Sequence, residues 1–295
     1  MNDILIKNAI DKQIEKNINL NLLYENIEEI LQVDESFSDI FSLLRDGGVE
    51  KLEDIIDYTV DKTISAIYSI NQFIHITAEQ KRELYNIYKE SWETFDSNAP
   101  EQSILNHHKR LSKWISKLYP SDFTEVLRTK DQIGNVVNAQ YSADFQMKVL
   151  GLELENLMEP IIDIGCGSQA NLVRHICKQK NEVLGIDRVI EYKSEHTKEI
   201  GWLEFEFRPC FYGTIIANMS FANHLVYHMQ NKTPYIQAYL SKYKEIIASI
   251  KKGGVFVYAP SLPFIEQLLD NTQFSVDITD FGDNNRVSKI QRIVI

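Results

Sequence analysis

Glu159-Pro160-Ile161-Ile162-Asp163-Ile164-Gly165-Cys166-Gly167-Ser168-Gln169-Ala170-Asn171-Leu172 is the stretch that decides the fold. The run Ile161 to Ile164, with Pro160 before it and glycines after it, predicts a short strand buried in a parallel sheet. Gly165 and Gly167 allow a tight turn and leave no side chain between the backbone and a ligand. Asn171 to Cys177 then opens a helix. Strand, glycine turn and helix in that order make a nucleotide-type site at the carboxyl end of a parallel sheet.

A glycine pair after an apolar run is common, so the acids around it carry more weight. Asp163 puts a carboxylate near the end of a buried strand, where an uncompensated charge is costly. A second strand-like run, Glu182 to Ile186, ends in Asp187, which lies 24 residues after Asp163. That is the spacing of a compact β-α-β unit, and it places Asp187 to accept hydrogen bonds from two ribose hydroxyls. Gly165-x-Gly167-x-x-Ala170 also satisfies the dinucleotide fingerprint, so an NAD-dependent oxidoreductase is one alternative. In that fingerprint the residue two before the first glycine is usually apolar; here it is Asp163.

Asp163-Ile164-Gly165-Cys166-Gly167 resembles the first motif of the class I S-adenosylmethionine-dependent methyltransferases, an acid followed by x-G-x-G. The resemblance spans roughly residues 141 to 295. It implies a Rossmann-like α/β fold, mostly parallel with a terminal antiparallel hairpin, and S-adenosylmethionine as cofactor. It also implies that Asp163 helps hold the methionine end, that Gly165 and Gly167 pass beneath the cofactor, and that Asp187 binds the ribose. Cys166 and Arg188 beside these residues, and Asn218 and Met219 at the end of the fourth strand, complete the expected contacts. The segment before the first strand either closes over the cofactor, through Tyr141 and Gln146, or is a packed linker.

The 295 residues suffice for two domains, and 44% apolar with 25% charged residues is ordinary globular composition. A net charge of −11 gives no support to binding of duplex DNA. Three cysteines without C-x-x-C spacing suggest neither a disulfide framework nor a zinc site, and no metal is expected. No signal peptide or membrane-length apolar run is found, so the expectation is a cytoplasmic protein.

Residues 1–140 read as an all-α accessory or substrate-capping domain. Apolar residues recur at helical spacing from Ile18 to Leu31 and from Leu52 to Ile70. Asp34, Ser36 and Ser38 suggest a break, and Gly47-Gly48 a helix end. Thr77-Ala78-Glu79-Gln80 fits a capping box, Asn98-Ala99-Pro100-Glu101 a helix start, and Tyr119-Pro120-Ser121 a stop and restart. Residues 1–60 hold 14 acidic against 5 basic side chains, whereas the numbers from 141 onwards are 18 against 16. That acidity solvates helix faces. Lys109, Lys113 and Lys117, with Arg110 and His107-His108 nearby, form a basic stripe that is either a solvated face or a contact for an anionic substrate or RNA. Thr129 to Tyr141, with Gly134, is the join between domains.

Within 141–295, Ser142 to Leu157 reads as a helix, Glu191 to Glu199 as another, and Trp202 to Phe207 as a strand with one polar face. Tyr212 to Asn218 is an apolar strand that resembles the fourth strand of the class I methyltransferases, which implies that its end faces the transferable methyl group. Asn218-Met219-Ser220-Phe221 stands where amino-group methyltransferases carry N-P-P-Y, but both prolines are missing. If the acceptor needs a base, His224 is the candidate, with His228 a helical turn further and Tyr212 at the strand entrance. Thr233-Pro234 opens a helix that Gly253-Gly254 ends, Val255 to Pro260 is a fifth strand, and Phe274–Ile278 with Lys289–Ile295 form a hairpin around Gly282 to Asn285. The expected function is methyl transfer to a small-molecule acceptor, with RNA the second choice. Oligomeric state is left open.

Overall fold

The computed structural model describes residues 2–18, 20–24, 31, 49–96, 99–119, 141–280 and 286–294. Asp34, Ser36, Ser38, Gly47-Gly48, Asn98, Pro120-Ser121, residues 129–140 of the join and the turn 282–285 lie outside the described residues. The chain divides into two compact units, Met1–Asn138 and Ala139–Ile295.

The first unit is helical among the described residues. It contains α1 (Asn2–Asn17), α2 (Val49–Ile70), α3 (Ala78–Glu93) and α4 (Pro100–Ser116). The capping box is present: Gln80 N–H donates to the Thr77 side chain and Thr77 N–H to the Gln80 side chain. Pro100 occupies the first turn of α4, where its missing N–H costs nothing. Of the helical periodicity drawn from Ile18 to Leu31, the described residues 20–24 form no helix, and Ile27 and Ile30 lie outside the described residues. α1 stops at Asn17, and the Asn21 side chain accepts from Leu23 N–H, a local bond that competes with the helix. Ile56, Val60, Leu84, Leu111 and Trp114 form the core of this unit.

The second unit is built on a seven-stranded sheet in the order β3-β2-β1-β4-β5-β7-β6. In chain order the elements are α5 (Ala143–Leu150), β1 (Ile161–Ile164), α6 (Asn171–Ile176), β2 (Val183–Asp187), β3 (Thr197–Glu199), β4 (Tyr212–Asn218), α7 (Phe221–Gln230), α8 (Ile236–Ser249), β5 (Ile250–Ala259), β6 (Phe274–Asp280) and β7 (Arg286–Arg292). β1 to β5 pair in parallel, whereas β7 lies antiparallel between β5 and β6. Alternation along the strands divides the core. Ile162, Ile164, Ile215 and Ala217 pack with Phe221, Leu225, Tyr243 and Ile246 of α7 and α8. Ile161, Ile216 and Val257 pack on the other face with Leu150, Leu172, Val173 and Ile176 of α5 and α6.

Four readings need correction here. Gly151, in the left-handed conformation, ends α5 at Leu150, so Ser142–Leu157 is not one helix. Residues 191–199 form no helix but lead into the edge strand β3. Trp202 to Phe207 is not a strand: Lys242 Nζ donates to Phe205 O (2.7 Å) and Glu245 Oε1 accepts from Phe207 N–H (2.7 Å). Side chains of α8 thus satisfy the main-chain groups that a neighbouring strand would otherwise pair. Finally, α8 ends at Ser249 and Gly253-Gly254 lie in β5, where the register against β4 shifts between Tyr212 and Thr214.

Candidate functional site

β1 is central and buried throughout, so the turn that follows it emerges in the middle of the sheet edge. Gly165 and Gly167 both adopt left-handed backbone, with φ of 75° and 76°. A Cβ on Gly165 would lie 2.5 Å from Ser220 Cβ and 2.9 Å from the Trp202 ring, whereas one on Gly167 would meet nothing within 4 Å. The first glycine is required by close packing; the second faces open space. The Gly165 and Cys166 amides donate to Ile186 O (2.8 and 3.2 Å), which ties the turn to β2.

Asp187 ends β2 beside that turn. Its Oδ2 accepts from Gly167 N–H (3.0 Å) and its Oδ1 from Val189 N–H (3.2 Å). Burial raises its pKa, opposed by these amides and by the Arg188 charge. Asp163 is 1% exposed, and its Oδ2 makes no hydrogen bond among the described residues. Burial, with repulsion from Asp187 added, pushes its carboxyl up to about 7. Pairing places Asp163 beside Gly185 on β2 and Ile216 on β4, so Asn218 lies two residues further on the adjacent strand, roughly 8 Å away.

Asp163 and Asn218 share the sheet face that carries α5 and α6. Asn218 Nδ2 donates to Gln146 Oε1 (3.4 Å), and Asn218 Oδ1 has no partner among the described residues. Gln146 Nε2 and Asn171 Nδ2 both donate to Tyr141 O (3.1 and 3.2 Å), and the Tyr141 ring stacks on Phe145. Tyr141, Gln146, Asn218 and the glycine turn thus form one connected region. Met219 follows with φ of 51°, a conformation unusual for a residue with a side chain. Cys166 is buried between the two glycines, and burial together with both acids pushes its thiol pKa up, away from the thiolate form.

The proposed base and its companions are placed elsewhere. His224 is 2% exposed on the α7–α8 face, its Nδ1 3.0 Å from the Tyr239 hydroxyl and its ring edge-on to Trp202. His228 is equally buried, with Nδ1 2.8 Å from Thr233 Oγ1. Both rings pack on the α7–α8 face, not on the face that carries Asp163 and Asn218. Tyr212 begins β4 and belongs to the core, about 20 Å along the strand from Asn218 at ordinary rise. It stands at the wrong end of the sheet.

Trp202 is a residue the sequence reading missed, since its alternating neighbours suggested a strand. Gly201 just before it was the signal for a turn. Of the three tryptophans, Trp202 borders Gly165, so S-adenosylhomocysteine binding should change the tryptophan emission and Trp202→Phe should remove that change. An undiminished signal in the variant would place the ligand elsewhere.

The sheet order and the antiparallel β7 inserted beside β5 make the second unit a class I methyltransferase fold rather than a dinucleotide-binding sheet. Solved structures similar to about half of this chain include methyltransferases. The ribosomal protein L11 methylase of Lactobacillus delbrueckii subsp. bulgaricus is 16% identical, with 51% of this chain and 80% of that chain covered and a TM-score of 0.36. The 1,6-didemethyltoxoflavin-N1-methyltransferase of Burkholderia thailandensis is 13% identical (52% and 76% covered, TM-score 0.33). A tRNA methyltransferase of Aquifex aeolicus is 12% identical (54% and 72%, TM-score 0.31). No protein-family model and no curated protein matches the chain. No described helix is long and apolar enough to cross a membrane, and no cluster of metal-ligating side chains occurs among the described residues.

Proposed function

We propose that this protein transfers the methyl group of S-adenosylmethionine to a small-molecule acceptor, with residues 141–295 binding the cofactor and residues 1–140 an accessory domain. One observation carries the reading. The ends of β1 and β4 present two buried oxygens, Asp163 Oδ2 and Asn218 Oδ1, that find no partner among the described residues. Buried polar atoms are ordinarily hydrogen-bonded, so these suit a donor brought by a ligand. The α-ammonium group of the cofactor is such a donor, and it would return Asp163 to its charged form.

The charge of the site favours this cofactor over a dinucleotide. Asp163 and Asp187 repel one another across the turn. A sulfonium and an ammonium relieve that repulsion, whereas a pyrophosphate seated on the turn would add to it. Asp187 retains acceptor capacity for ribose hydroxyls beyond its two amide bonds.

The sulfonium methyl, once bound, is already electrophilic, so the protein's part is to hold, orient and exclude water. Asp163 and the Asn218–Gln146–Tyr141 network hold the amino-acid end, and the glycine turn leaves room above it. With His224 held against Tyr239 and Trp202 rather than on the face of Asp163 and Asn218, this reading assigns it no base role, and the acceptor supplies its own nucleophile. In the basic stripe, Arg110 pairs with Glu90 (2.8 Å) and Lys117 with Glu83 (2.9 Å). Cations engaged in this way favour the small-molecule reading over RNA.

Asp187→Ala tests the assignment. Losing a charged acceptor shared by two hydroxyls costs about 1.5–3 kcal/mol. Affinity for S-adenosylhomocysteine should therefore fall at least tenfold; unchanged affinity would remove the ribose role.

A further inference from the structure

The helical unit contains a feature that methyl transfer does not use. A partly open cavity of about 170 Å³ lies within it, and the described residues that line it, from Ile10 to Tyr119, all belong to this unit. Packed interiors leave few voids larger than a water molecule, and an empty apolar void forfeits contacts for all the atoms around it. An apolar cavity of about 150 Å³ in another protein stays dry and accepts benzene.

The lining sets the chemistry of a guest. A quarter of this chain is charged, yet no Asp, Glu, Lys or Arg lines the cavity among the described residues. Its wall is mostly aliphatic and aromatic, with Ile67, Trp92 and Leu111 representative. Two polar pairs in the wall serve one another: Ser91 Oγ lies 2.8 Å from His107 Nδ1, and Thr63 Oγ1 lies 2.7 Å from the Tyr88 hydroxyl. Buried His108 Nδ1, without a partner among the described residues, leaves the guest one polar contact at most at this ring. Burial pushes His107 down to about 3 and His108 down to about 4, so both rings are neutral at pH 7. A charged guest would lose its hydration and find no counter-ion here.

We infer that the helical unit binds a neutral, largely hydrocarbon molecule of about single-ring size in this cavity. The site is independent of what the second unit transfers. Calorimetry on the full-length chain with toluene should show one site, and benzoate, of similar size but anionic, should bind at least tenfold more weakly. Ala66 lines the cavity; Ala66→Phe fills it and should weaken toluene binding at least tenfold while leaving S-adenosylhomocysteine affinity unchanged. Should that variant fail to fold, crystals of the wild-type chain soaked in bromobenzene give the same test, with a bromine peak expected between Thr63, Tyr88 and Trp92. No toluene binding, benzoate binding as tightly as toluene, or a bromine peak elsewhere would overturn the inference.

Discussion

Asp163→Asn is expected to move stability and binding in opposite directions. In the free protein the carboxyl has a raised pKa, about 7 against an ordinary 3.8, because it is buried beside Asp187. A raised folded-state pKa means that its stabilising contribution is complete below the unfolded-state value. That contribution is lost as pH climbs through the folded-state value. The wild-type protein should therefore lose about 1.4 kcal/mol per pH unit from this group between roughly pH 4 and pH 7. The variant carries no such charge, so this group's part of the slope should vanish, while that of Asp187, also raised by burial, stays. At pH 8 it should be more stable than wild type by about 1–4 kcal/mol, as when other buried charges are replaced. Binding should go the other way. A buried carboxylate facing an ammonium is worth about 3 kcal/mol or more, so S-adenosylhomocysteine affinity should fall roughly a hundredfold. Thermal melts across pH, with and without ligand, separate the two effects. A variant that is destabilised at pH 8 and still binds would refute this placement of Asp163.

The two glycines should respond differently to a single methyl group. Gly165→Ala forces a side chain into left-handed backbone, at about 1–2 kcal/mol, and drives its Cβ to 2.5 Å from Ser220 Cβ. Ser220 cannot easily yield, because its Oγ donates to Ile164 O at 2.6 Å. Overpacking adds about 1–3 kcal/mol, so denaturant melts should show a total loss of roughly 2–5 kcal/mol. Gly167→Ala incurs only the backbone cost, since no atom lies within 4 Å of the new methyl. Its stability should drop by about 1–2 kcal/mol, yet S-adenosylhomocysteine affinity should fall at least tenfold if the proposed cofactor fills that space. Equal stability losses in the two variants, or full affinity in Gly167→Ala, would contradict the geometry of the turn.

Much of the sheet was legible because its strands are buried on both faces. Ile161–Ile164, Val183–Asp187 and Tyr212–Asn218 stand out as short apolar runs with glycine, proline or acidic ends, and the structure places strands there. β3 was not legible: a three-residue edge strand with two exposed members carries no apolar signal. Trp202 to Phe207 misled because Phe205 and Phe207 are buried while Glu204 and Glu206 are exposed, which is strand-like alternation in a segment held by Lys242 and Glu245.

The site divides in the same way. Asp163, the glycines and Asp187 are brought together by one β-α-β unit, so spacing alone could place them. His224 depends on which face of the sheet α7 covers, and no local pattern states that. Asn218 turns to the α5–α6 face, whereas α7 descends on the other with His224 packed in its core. Tyr212 belongs to the right strand but to its opposite end.

Calorimetric titration of the full-length chain with S-adenosylhomocysteine and, separately, with NAD⁺ is the most direct test of the central claim. The arrangement of Asp163, Gly167 and Asp187 predicts one S-adenosylhomocysteine bound per chain and no heat from NAD⁺. Saturable NAD⁺ binding with none of S-adenosylhomocysteine would contradict it.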